Sequence, residues 1–173
     1  MKYYTSDLHL SHKNIIKYEN RPFSNVNEMD DYMIYKWNNK VGKGDEVYIL
    51  GDFAFCSGRK ANELLKKLNG QKFLIKGNHD SFLKDKDFDR SLFAWIRDYT
   101  LIKDEGKKVA LFHYPIAVWD CKHHDSYHCY GHIHSDKESH HPLCVDLGKN
   151  AFNVGVDVRD FEPKTLDELI RCT

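Results

Sequence analysis

Five short polar groups hold the residues of this chain whose types and spacing could do chemistry: Asp7-Leu8-His9, Gly51-Asp52, Gly77-Asn78-His79-Asp80, His113-Tyr114-Pro115 and Gly131-His132-Ile133-His134. Each offers a carboxylate or amide oxygen or an imidazole nitrogen, and none offers a thiolate. A mixed oxygen and nitrogen set suits borderline divalent metals such as Mn, Fe, Zn, Ni or Co, whereas Ca and Mg favour all-oxygen cages. Asp7, His9, Asp52, Asn78, His113, His132 and His134 make seven donors, more than one tetrahedral ion uses. Two ions sharing one carboxylate would use them economically, and two metals about 3.5–4 Å apart form the usual clamp for hydrolysing phosphate esters. D-x-H and G-D are common as turns and caps. G-H-x-H arises by chance in about one chain in fifty of this length, and G-N-H-D in about one in a thousand, at equal residue frequencies. Their ordered joint occurrence, each after an apolar run, is the signal.

The elements that must position these groups can be read from hydrophobic spacing. Short β-favouring runs cover 2–8, 46–50, 72–75, 108–112, 127–130, 143–147 and 152–156, and several end directly in one of the polar groups. Val26, Met29, Met33 and Trp37 give 26–40 one apolar helical stripe, with Ser24 and Asn25 as candidate caps. A second helix over 58–69 begins after Ser57 and stops at Asn69-Gly70. A last helix opens on Thr165-Leu166-Asp167-Glu168, the form of a capping box. Strand and helix alternate early and strands dominate from 99 to 158, so the expectation is an α/β or α+β layered fold with mixed sheets. Ligands of such sheets bind at the carboxyl ends of the strands. No repeat or linker divides the chain, and 1–173 is expected to be a single domain.

The motif order resembles that of the calcineurin-like metallophosphoesterase superfamily, which runs D-x-H, G-D-x-x-D, G-N-H-[DE], a histidine after a strand, then G-H-x-H. Asn153-Val154-Gly155-Val156-Asp157 also resembles small bacterial and phage members. The resemblance implies a four-layer α/β/β/α sandwich with a dinuclear metal site. It implies that Asp7, His9 and His134 hold one ion, that Asn78, His113 and His132 hold the other, and that Asp52 bridges both. It further implies hydrolysis of a phosphate mono- or diester by in-line attack of a metal-bridging hydroxide. His79 then faces the leaving group, where it donates a proton or stabilises charge on the departing oxygen, and Asp80 orients its imidazole. The second acid of G-D-x-x-D is absent here, because Phe55 stands in its place. A non-enzymatic interaction scaffold with a vestigial pocket, and a nuclease, are the competing functions.

Around this core lie residues with two readings each. His12 and Arg21 either reach a substrate phosphate, or for His12 the metal rim, or serve as a loop histidine and a surface ion pair. Trp119 either stacks on a nucleobase or packs on the sheet. His123, His124, His128, His140 and His141 flank G-H-x-H, with a surface placement favoured for each. Lys66-Lys67 and Lys107-Lys108 read as solvated charges.

Composition narrows partners and compartment. Lys plus Arg and Asp plus Glu both total 26 in 173 residues, a net charge of zero that supplies no basic stripe for long nucleic acid. A small phosphoester or nucleotide is the expected substrate. The chain has no secretory h-region or apolar run of membrane-spanning length, so no membrane association is expected. Its five cysteines are scattered and never paired as C-x-x-C, which suits reduced thiols in the cytoplasm.

Overall fold

A computed structural model of the chain describes residues 1–135 and 147–172. β1 (Lys2–Thr5), β2 (Glu46–Leu50), β3 (Gln71–Ile75) and β4 (Ile96–Arg97) form a sheet in that order, parallel throughout. β5 (Tyr99–Asp104) and β6 (Lys107–Phe112) form an antiparallel hairpin, to which β7 (Tyr127–Tyr130) and β8 (Ala151–Asn153) add in parallel. The result is the mixed α/β fold with two sheets that the sequence pattern predicts.

The run Glu46-Val47-Tyr48-Ile49-Leu50 is almost continuously apolar because β2 is covered on both faces. Alternation sends Val47 and Ile49, with Tyr3 and Leu74, toward the helices, while Tyr48 and Leu50, with Tyr4, Phe73 and Ile75, meet Val109, Leu111, Cys129 and Phe152 of the second sheet. Two layers of core therefore share the strands of the first sheet. After the short α1 (Ile15–Tyr18), the helical layer is α2 (Val26–Lys40) and α3 (Gly58–Lys67). α2 is capped by the Asn25 side chain, which accepts the Glu28 N–H, and buries Met29, Met33 and Trp37. α3 is capped by Ser57 and buries Ala61, Leu64 and Leu65, and Gly70 turns the chain back at φ +81°.

The outer face of the second sheet is covered by the segment from 113 to 126, where Trp119 lies on His128 with ring centroids 5.2 Å apart and Lys122–His124 forms one 3-10 turn. α4 (Leu166–Arg171) carries the expected Thr165–Glu168 capping box and sends Leu166 and Leu169 into the core between the sheets. Two expected strands are shortened by the site they serve. The run 2–8 leaves the sheet after Thr5, and 152–156 leaves it after Asn153, where Ser6 and Val154 bond across at 3.1 Å. The expected strand 143–147 lies outside the described residues except for Leu147, and His140 and His141 lie outside them altogether. Among the described residues no helix is long and apolar enough to cross a membrane.

Candidate metal centre

Because β1, β2 and β3 are parallel, their carboxyl ends open on one edge, and the segments leaving them stay in register beyond the last strand residue. The N–H groups of Asp7, His9 and Leu10 bond the carbonyls of Gly51, Asp52 and Phe53 at 3.1, 2.9 and 3.0 Å. In both segments the carboxylate residue is left-handed, with φ 56° at Asp7 and 54° at Asp52. His9, His132 and His134 are left-handed as well, at φ 50°, 72° and 47°. Asp and His enter this region more readily than most residues, yet each such position stores about 1–3 kcal/mol of strain. The strain is concentrated where the polar groups converge.

Two glycines allow that convergence. A Cβ on Gly77 would strike the Asp52 carboxylate and backbone nitrogen, and one on Gly131 would strike the Asp7 carboxylate and Ser6 Oγ. The leading glycines of G-N-H-D and G-H-x-H thus let their turns press against two different acids.

Asp7, His9 and His134 form one donor group, with ligand atoms all within 4.8 Å of one another. Asp7 is fully buried, accepts from Ser6 Oγ at 2.7 Å and from the His132 N–H at 3.0 Å, and burial pushes its carboxyl above the usual range. His9 is 2% exposed, and burial lowers it to about 2, so its imidazole is neutral. Both of its ring nitrogens are buried without a hydrogen-bond partner. Orphaned nitrogens of this kind, in a pocket with a buried carboxylate, are what a metal ligand leaves when its ion is subtracted. His134 turns Nδ1 to Asp157 Oδ2 at 2.9 Å, which frees Nε2 for the pocket.

Asn78, His113 and His132 meet as a second group. Asn78 Oδ1 lies 2.9 Å from His113 Nε2 and 3.1 Å from His132 Nδ1. His113 is fully buried and its Nδ1 donates to the Leu50 carbonyl at 2.7 Å, which leaves Nε2 facing the Asn78 amide oxygen, itself an acceptor. A cation between them satisfies both. Asp52 Oδ2 stands 3.5 Å from His9 Nε2 and 3.6 Å from His113 Nε2, between the two groups, while its Oδ1 accepts the His79 N–H at 2.8 Å. Among the described residues no Lys or Arg side chain pairs with Asp7 or Asp52. Buried carboxylates, bare imidazole nitrogens and an amide oxygen, with no cationic side chain among them, are a donor set that fits divalent metal.

The remaining candidates separate. The His79 imidazole is exposed at the mouth of the site, 5.5 Å from the His9 ring and edge-on to Phe55 at 6.2 Å. Asp80 does not orient it. The Asp80 carboxylate accepts the N–H groups of Gly77, Asp52 and Phe53 at 2.8, 3.1 and 2.8 Å, tying the two acid-bearing turns together, and burial pushes it up to about 6. A residue next to His79 in sequence was expected to serve that ring, but the turn aims the carboxylate inward. His12 stacks on Phe55 at 4.5 Å and tilts against His9 at 5.4 Å, on the rim. Of its two readings Arg21 takes the ion pair, in the interior rather than at the surface: its side chain is fully buried and its hydrogen-bond partners are Asp157, two backbone carbonyls and the Met29 sulfur, so it is not available to a substrate. Trp119 is packed, donating Nε1–H to Ser126 Oγ at 3.0 Å, and His128 beneath it is buried rather than at the surface. Burial lowers His128 to about 4. His123 and His124 are exposed.

Sequence reasoning gave no role to Ser6, Asn153 or Asp157. Asn153 Nδ2 donates to the His134 carbonyl at 2.9 Å, so the Asn153-Val154-Gly155-Val156-Asp157 stretch holds His134 at both its backbone and its ring. That stretch was the available signal.

Over 98% of its length the chain is 36% identical to an uncharacterized protein of Methanocaldococcus jannaschii, covering 89% of that protein. It belongs to the same family. No family model matches the chain. Its structure is similar to that of an Aquifex aeolicus protein of unknown function, with a TM-score of 0.77 at 27% identity, over 100% of this chain and 99% of the other. A looser likeness, with a TM-score of 0.39 at 17% identity over 77% of this chain and 62% of the other, is to a predicted phosphoesterase of Streptococcus pneumoniae.

Proposed function

We propose that this family member is a phosphoesterase that hydrolyses a phosphate mono- or diester with two divalent metal ions. The observation that carries the reading is Asp52 Oδ2, which stands 3.5 Å from a ring nitrogen of His9 and 3.6 Å from one of His113. Asp7, His9 and His134 would hold one ion, Asn78, His113 and His132 the other, with Asp52 shared. Two such ions acidify water and draw charge from phosphoryl oxygens when bound. The motif order from Asp7 to His134, with its resemblance to the calcineurin-like metallophosphoesterases, supports the same reading.

The chain's own residues have defined work in it. His79 stands exposed at the mouth, where its imidazole donates a proton to the departing oxygen. Asp80 fixes the approach of the two turns, and the left-handed backbone at Asp7, His9 and Asp52 keeps their side chains aimed inward before substrate arrives. His12 and Phe55 form the rim on which a substrate rests. Zero net charge supports a small phosphoester or nucleotide over long nucleic acid. Free thiols at Cys56, Cys121, Cys129 and Cys172 support a cytoplasmic protein.

The test is elemental analysis of the purified protein together with turnover of aryl and nucleotide phosphoesters in Mn²⁺. Two ions per chain with Mn²⁺-dependent hydrolysis is the expected result. Full metal occupancy without turnover on any ester would make the protein a metal-binding scaffold instead.

A further inference from the structure

One buried ion pair joins distant parts of the chain behind the first donor group. The Arg21 and Asp157 side chains are 0% and 3% exposed and meet in two prongs, Nε to Oδ1 at 2.7 Å and Nη2 to Oδ2 at 2.9 Å. The guanidinium also donates from Nη1 to the Leu8 carbonyl at 2.9 Å and from Nη2 to the Asp7 carbonyl at 2.7 Å. Those carbonyls belong to the turn that holds Asp7 and His9 left-handed. Asp157 Oδ2 in turn accepts Nδ1–H of His134 at 2.9 Å.

We propose that the Arg21–Asp157 pair is the positioning unit for the first ion: it clamps the backbone that presents Asp7 and His9 and sets the tautomer and rotation of His134. A neutral imidazole carries its proton on either nitrogen, and a carboxylate at Nδ1 keeps it there, leaving Nε2 as the ligand. A buried carboxylate can do this only if its own charge is compensated, and the guanidinium compensates it. The planar fork of arginine matters, since the same group must face a carboxylate and two carbonyls at fixed angles, which an ammonium does not. Three of the four ligands expected around that ion, Asp7, His9 and His134, are thereby ordered by one pair.

The inference rests on the metal-centre part of the proposed function, and two measurements separate their failures. Long-range imidazole ¹⁵N–¹H correlation on the chelator-treated wild type reads the His134 tautomer without any metal. Nδ1–H is expected, and Nε2–H would overturn the proposal. Calorimetric titration with Mn²⁺ alone then compares the wild type with Asp157→Asn and Arg21→Lys. The Kd of one of the two ions is expected to rise about 10–100-fold in Asp157→Asn and by less in Arg21→Lys, which retains the charge, with the other ion's Kd little changed. Unchanged affinity in a folded Asp157→Asn overturns this inference alone, whereas a wild type that takes up no Mn²⁺ overturns both it and the proposed function. Should Asp157→Asn fail to fold, the wild-type tautomer decides.

Discussion

The carboxylate of Asp80 accepts the backbone N–H of Asp52 at 3.1 Å, although 28 residues separate them, and the same carboxylate holds the N–H of Gly77 at 2.8 Å. Asp80 and His79 therefore have different work despite being adjacent. Asp80→Ala leaves buried N–H groups unpaired at about 1–3 kcal/mol each, and should lower the melting temperature markedly and metal uptake with it. His79→Ala should keep both near wild type while turnover falls about 10²–10⁴-fold. Thermal melts and metal content measured beside activity distinguish the two variants. Similar losses of stability in both would contradict the separation.

Divalent metal should stabilise the fold. Under the proposed function, the burial of the Asp7 carboxylate and the left-handed backbone at Asp7, His9 and Asp52 are costs of the folded state that a bound cation would help to offset. At a free metal concentration of about 100 times Kd the gain is about 2.7 kcal/mol, and for a chain of this size each kcal/mol shifts the melting temperature by about 2–4 °C. Scanning calorimetry with Mn²⁺ or Zn²⁺ should show an upward shift of that order, reversed by EDTA.

Gly131→Ala tests the close approach of the G-H-x-H turn. The added methyl collides with the Asp7 carboxylate and Ser6 Oγ, in a region where neither can retreat into solvent. Overpacking costs about 1–3 kcal/mol, and here it also displaces Asp7, a proposed ligand. Reduced stability with reduced Mn²⁺ affinity is the expected pair of results. Gly106→Ala, at a β5–β6 turn glycine with open space around it but φ +83°, should lose some stability and leave Mn²⁺ affinity unchanged.

Glu162 accepts Lys36, Lys40 and Lys164 at 2.9, 3.2 and 2.6 Å. Burial would raise its carboxyl, but hydrogen bonds from the three lysines outweigh it and hold the group at about 2. A carboxyl depressed in the folded state stabilises it above the unfolded value of about 4.3 and loses that contribution as pH falls toward 2. Urea midpoints between pH 6 and pH 2 should converge for the wild type and Glu162→Gln as acid is added. A constant gap between them would count against the network.

Much of the fold was legible because it follows from local rules. The stripe of Met29, Met33 and Trp37, the caps at Asn25 and Ser57 and the Thr165–Glu168 box each report a helix through neighbours within a turn or two. The strands buried on both faces announce themselves as apolar runs. β4, two residues long, and α1, four residues long, are too short for any periodicity to mark, and they are held by β3 and by the site turn rather than by their own sequence.

The sequence by itself determined which atoms are available for chemistry: the donor types, their order along the chain and their place at strand ends. It could not decide what each side chain faces, because facing depends on pairings between residues well apart in the chain, 28 positions for Asp80 and Asp52 and 136 for Arg21 and Asp157. Arg21 reads as either a phosphate ligand or a surface ion pair until Asp157, 136 positions away, is seen to hold it in the interior. Asp80 reads as a partner of His79 until the tertiary turn gives it three backbone N–H groups instead. In both cases the charge had to be buried to close the site, and a buried charge takes the nearest partners in space. Only the tertiary structure supplies those.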